Sequence, residues 1–173
     1  MDRAKLELTL GCLVGASIAL STIHPLGNPH TGVQPGAPVL EGTEATEQVR
    51  AALEAKCGDC HSQNTRYPLY SHVAPLTWMI DRDVSEGRAS LDMSQWQFYN
   101  IEYRINALTR MASEVHSAQM PPRTYVLLHP HARLSPEEQK LIYDWAKSER
   151  KHLRWALSPS SDQSFVDSRT QRP

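Results

Sequence analysis

The sequence predicts an all-α fold on three observations. Apolar residues recur at the three- and four-residue spacing of a helix face along several stretches. Helix start signals stand ahead of those stretches, most plainly Ser135-Pro136-Glu137-Glu138, with Ser at the N-cap, Pro at N1 and Glu at N3. No stretch alternates apolar and polar residues as a half-buried strand would, and no internal repeat is visible.

Taken in order, the chain opens with Arg3 and Lys5 and continues into a mostly apolar run, Leu6 to Ile23. As a helix it spans about 27 Å, just enough to cross a bilayer core. Residues 1–23 therefore read as a retained membrane anchor or as a signal peptide cleaved after Ala19-Leu20-Ser21, with the anchor preferred. Cys12 reads as a small buried residue of that helix. Residues 24–42 are rich in Pro and Gly and read as a linker, up to ~60 Å long if extended, with His24 and His30 solvated.

Residues 43–157 carry the helical pattern. Thr43 can cap a helix from Glu44, with Ala45, Val49, Ala52 and Leu53 on its apolar face. Pro75 can open the next helix, with Leu76, Met79, Ile80 and Val84 inward and Gly87 as its stop. Ser94 opens a long helix carrying Phe98, Ile101, Ile105, Leu108, Ala112 and Val115, ending before Pro121-Pro122. A loop is expected from Pro121 to Leu134, and then the capped last helix with Leu141, Ile142 and Trp145. Lys147, Arg150, Lys151 and Arg154 suit its C-terminal dipole. Residues 158–173 read as a polar tail.

The chemistry is concentrated in Cys57-Gly58-Asp59-Cys60-His61. C-x-x-C-H is the sequence form of c-type haem attachment. Two thiols are needed to add to the two porphyrin vinyl groups, and an imidazole is needed to ligate the iron. On a helical turn the three side chains fall within roughly a 100° arc. A zinc site would need further Cys or His ligands at matching spacing, and a dithiol redox site would need a β-α-β setting. Neither surrounds the motif. The cofactor expected is one haem c, held through Cys57 and Cys60.

For the second axial position the candidates are Met79, Met93, Met111, Met120, His72, His116, His129 and His131. Met120 is preferred. It lies 59 residues after His61 (120 − 61), enough for the chain to fold over the other haem face, and precedes Pro121-Pro122. Met79 and Met111 sit at core spacing. Trp78, Tyr67, Tyr70, Trp96 and Tyr125 are candidate pocket walls, and Arg66, Arg82 and Arg88 candidate propionate partners. The net charge of −1 argues against a nucleic-acid partner.

The chain resembles the bacterial haem-binding domain family with a single C-x-x-C-H. The resemblance is carried by Cys57 to Ser62, Thr65 to Ser71, Pro75 to Trp78, Asp83 to Arg88, Leu91 to Trp96, Met120-Pro121-Pro122, His129-Pro130 and Leu134-Ser135, between about Thr43 and Lys147. Gly58 and Leu69 stand where an aromatic is expected. The resemblance implies a cytochrome c-like helical domain, usually membrane-tethered. It makes Cys57 and Cys60 the haem attachment residues, His61 the proximal ligand and Met120 the distal one. The expectation is a mono-haem c-type cytochrome, an electron carrier rather than an enzyme. It would lie on the extracytoplasmic, periplasmic side of the membrane, held there by the N-terminal helix, and exchange electrons with redox partner proteins. The alternative is a haem sensor or peroxidase-like enzyme with an open distal site, using His116 or His72 as acid and base.

Overall fold

The computed structural model describes residues 2–158. Among them the chain is helical, without strands: α1 Arg3–Leu20, α2 Glu47–Lys56, α3 Gly58–His61, α4 Leu76–Ser90, α5 Ile101–His116, α6 Arg123–Leu128 and α7 Pro136–Ala156. Short 3-10 turns lie at Leu69–His72, Met93–Phe98 and Pro130–Ala132. The tail expected over 158–173 lies, beyond Ser158, outside the described residues. By contacts the chain forms two compact units: the residues up to Ala37 with Gly58–Met93, and Pro38–Cys57 with the residues from Ser94 onward.

In the first unit α4 packs on α3 and on the turn Leu69–His72. The residues before Ala37 belong to the same body. Ser17 Oγ donates to the Ala74 carbonyl at 2.7 Å, Ala74 N–H donates to Ser21 Oγ at 2.8 Å, and Trp78 Nε1–H donates to the Ile23 carbonyl at 2.8 Å. The solvated histidines expected between 24 and 42 are instead engaged. His24 Nδ1 lies 2.6 Å from Asp81 Oδ2 and His30 Nε2 3.6 Å from Asp81 Oδ1, and Asp81 is 1% exposed. A carboxylate buried that deeply needs partners, and here the linker supplies them.

That pairing also turns α4. Its buried residues are Thr77, Asp81 and Val84, while Leu76 and Met79 face outward, Met79 at 59% exposure. The expected inward face Leu76/Met79/Ile80/Val84 is therefore rotated, because α4 buries a polar stripe against its own unit. Gly87 does not end the helix, which continues to Ser90. A Cβ at Gly87 would lie 2.5 Å from the Cys60 carbonyl oxygen, so glycine is there for close helix approach.

In the second unit α5 and α7 form the main helix pair, and α2 packs on α7. Its core holds Ile105, Leu108, Ala112 and Val115 of α5 and Ile142, Trp145 and Ala146 of α7. Val49, Ala52 and Leu53 of α2, with Trp96, Val39 and Leu40, complete it. The Arg50 guanidinium donates to the carbonyls of Val39, Leu40 and Thr43, fixing the segment ahead of α2. The α7 capping box is present as expected: Glu138 N–H to Ser135 Oγ at 3.1 Å, and Ser135 N–H to Glu138 Oε2 at 2.8 Å.

Several boundaries differ from expectation. Thr46, not Thr43, caps α2, because Thr43 Oγ1 is already in a local turn with Leu40 and Ala45. Asn100, not Ser94, caps α5, and Ser94 lies in the preceding 3-10 turn, leaving Phe98 exposed. The stretch Pro121 to Leu134 is not a loop throughout but holds α6 and a 3-10 turn. Cys12 is exposed rather than buried. Along α1 no residue is buried, and no helix among the described residues is long and apolar enough to cross a membrane. Arg3, Lys5 and Glu7 lie within that helix.

Candidate haem site

Cys57 closes α2, its N–H donating to the Leu53 carbonyl at 2.8 Å, and the next residue opens α3, which carries Cys60 and His61. His61 Nδ1 stands 3.0 Å from the Leu91 carbonyl. A carbonyl oxygen only accepts, so Nδ1 carries a proton, and in the neutral imidazole that leaves the lone pair on Nε2. That is the state a metal-ligating imidazole requires, with its ring orientation set by a backbone acceptor. Leu91 follows directly on α4, so the helix that presses on Cys60 through Gly87 also orients His61. In sequence Gly87 reads as a helix stop and Leu91 only as the start of a stretch that carries the resemblance, so neither shows its role at the site. The stretch Asp83 to Arg88 carried part of the family resemblance, but its packing role was not visible.

The segment after His61 is strapped in place. Arg88 Nε donates to the Ser62 carbonyl at 2.9 Å, Nη2 to Thr65 Oγ1 at 2.9 Å and Nη1 to the Pro29 carbonyl at 2.5 Å. Arg66 pairs with Asp59 at 3.1 Å, and Arg82 with Glu86 at 3.0 Å. All three arginines named as propionate partners thus have partners within the chain. Burial, reinforced by Asp83 and Asp59 and opposed by Arg88, pushes the Cys60 thiol up to about 11. Redox-active cysteines are ordinarily shifted the opposite way.

Of the candidate axial residues, Met93 is buried in the core at 1% exposure and Met79 is on the surface. His116 lies against Tyr143, ring centroids 5.0 Å apart, and His129 stacks on Tyr125 at 4.2 Å. Met120 is 37% exposed, so it is not a core methionine closing a helix. It follows a Schellman stop of α5: Gln119 N–H donates to the Glu114 carbonyl at 2.9 Å and Ala118 N–H to the Val115 carbonyl at 3.2 Å. Ala118 takes the left-handed conformation there, with φ of 54°. Among the expected pocket walls, Trp96 is a core residue of the second unit, under the Arg104 guanidinium at 6.0 Å. Tyr67, Tyr70, Trp78 and Tyr125 are partly exposed.

The haem-binding domain family matches the chain over residues 16–148. The chain belongs to this family. The match begins within α1, well before Thr43, in keeping with the hydrogen bonds that tie Ser17, Ser21 and Ile23 to Ala74 and Trp78. No curated protein and no solved structure matches. As a member of the haem-binding domain family the protein binds haem and its iron. The residues present fit that group: an imidazole with a free Nε2 beside a cysteine, on a short helix held from behind.

Proposed function

We propose that the protein is a mono-haem c-type cytochrome, with haem attached through Cys57 and Cys60 and ligated by His61 and Met120. It carries single electrons and is not an enzyme. The observation that carries this reading is the His61–Leu91 hydrogen bond next to Cys60, within a C-x-x-C-H motif of a haem-binding domain. The bound haem supplies one-electron chemistry at iron. The chain's residues hold and orient it: Leu91 fixes the imidazole, Gly87 lets α4 close on Cys60, and Arg88 ties down the loop behind His61. A thioether is a soft, neutral ligand that favours Fe(II) and raises the reduction potential. Met120, exposed on a rigid proline-flanked step, is free to serve as one.

Location belongs to the same proposal. Covalent haem is attached outside the cytoplasm, and α1 exposes Leu6, Leu8, Leu10, Leu13, Val14, Ile18 and Leu20 with nothing of the described chain covering them. We place the haem domain on the extracytoplasmic face of the membrane, attached through α1, where redox partner proteins are met at raised local concentration.

A redox titration followed by visible spectroscopy tests the function. The protein should titrate reversibly as one one-electron centre. Met120→Ala should lower the potential, abolish the thioether-to-iron band and admit carbon monoxide, with haem retained. Met120→His should stay six-coordinate at lower potential. A parent protein that is five-coordinate and turns over peroxide would replace the electron carrier by the enzyme reading.

A further inference from the structure

Outside the haem site, the second unit brings three ligand-type side chains together. Glu44, Glu149 and His152 each offer a ligand atom, and these atoms all lie within 4.8 Å of one another. Glu149 and His152 are one turn apart on α7, an i, i+3 Glu-x-x-His spacing that puts both on one helix face. Glu44 comes from the segment held ahead of α2, which itself packs on α7.

Glu149 is the odd member. It is 5% exposed, and charged residues are buried that deeply only when paired or bound to a cation. Among the described residues no lysine or arginine forms an ion pair with it. The Glu44 carboxylate adds a second negative charge beside it. Burial holds the Glu149 carboxyl above its usual range, with His152 and Arg104 opposing. Glu44 and His152 are exposed, which gives an entry path from solvent.

We propose that Glu44, Glu149 and His152 form a binding site for a divalent transition cation of the zinc type, clipping the segment before α2 to α7. One imidazole nitrogen with two carboxylate oxygens is a zinc-type donor set and a poor one for magnesium, which keeps to oxygen. Ligand bonds of ~2.0–2.2 Å in a tetrahedron separate the donor atoms by ~3.4 Å, so the two exposed side chains need only small rotations. The fourth position is left to water. The cation removes the like-charge conflict at Glu149 and ties down the chain leading into α2, whose far end is Cys57. The site is independent of how haem is held.

The test uses the full-length haem protein without an affinity tag, treated with EDTA and titrated calorimetrically with Zn2+. One equivalent should bind, and thermal unfolding should move upward with Zn2+ concentration. His152→Ala and Glu44→Gln, both exposed positions, should each weaken binding at least ~10-fold and suppress the thermal shift, while the haem spectrum stays that of the parent. Mg2+ should not compete. Binding of parental strength in both variants would put the ion elsewhere and overturn the proposal. No binding at all would equally overturn it, leaving Glu149 neutralised by a proton.

Discussion

At the residue scale two groups of the first unit have effects that can be measured singly. Gly87 lies where a helix would ordinarily prefer alanine, by about 1 kcal/mol. The Cβ of alanine, 2.5 Å from the Cys60 carbonyl oxygen, meets backbone that cannot swing away. Overpacking of that kind costs about 1–3 kcal/mol and outweighs the propensity gain. Gly87→Ala should therefore lower the denaturant midpoint and the yield of haem-loaded protein. His30 is the second. Burial moves it below its ordinary 6.5; Asp81 pulls it upward, and His24, His72 and Arg88 add to the lowering. Its ring also lies 4.1 Å from that of Tyr67. With the folded value depressed, the unfolded chain takes up the proton first. Stability from this group is complete above pH 6.5 and is lost as pH falls from 6.5 into the lowered folded range. Equilibrium unfolding across that window should show the slope, and His30→Gln should flatten it.

At the scale of elements, the legible parts were those specified by local chemistry. The α7 capping box needs only Ser135, Pro136 and Glu138, which are neighbours in sequence. The α5 stripe of Ile105, Leu108, Ala112 and Val115 follows from spacing alone. The parts set by contacts distant in sequence were not legible. Periodicity on α4 pointed to Met79 as core, whereas the buried side is Thr77, Asp81 and Val84, chosen by a carboxylate that pairs with His24 and His30 more than fifty residues upstream. Gly87 carries the same lesson, since a glycine at a helix end and a glycine under a crossing backbone look alike in sequence. The two methionine and leucine positions separate these readings. Met79→Ala, 59% exposed, should change stability by no more than about 0.5 kcal/mol. Leu108→Ala, at 0% exposure, should cost about 2–5 kcal/mol in the same denaturation assay.

At the scale of the whole molecule, the family match from residue 16 and the hydrogen bonds of Ser17, Ser21, Ile23 and Pro29 make the stretch before the haem motif part of the domain. Residues 24–42 read as a linker because Pro and Gly erase periodicity, while their anchoring comes from the Pro29 carbonyl on Arg88 and from His24 and His30 on Asp81, all contacts distant in sequence. Haem binding follows from the family. The manner of attachment is the central claim, and it rests on the C-x-x-C-H spacing of Cys57, Cys60 and His61 and on an imidazole oriented by Leu91. Intact mass measured under denaturing, acidic conditions tests it most directly. The account predicts one chain plus one haem in a single covalent species, and chain mass alone for the Cys57→Ala, Cys60→Ala double variant. Parent protein that gives up its haem to acid and appears at the mass of the bare chain would contradict it.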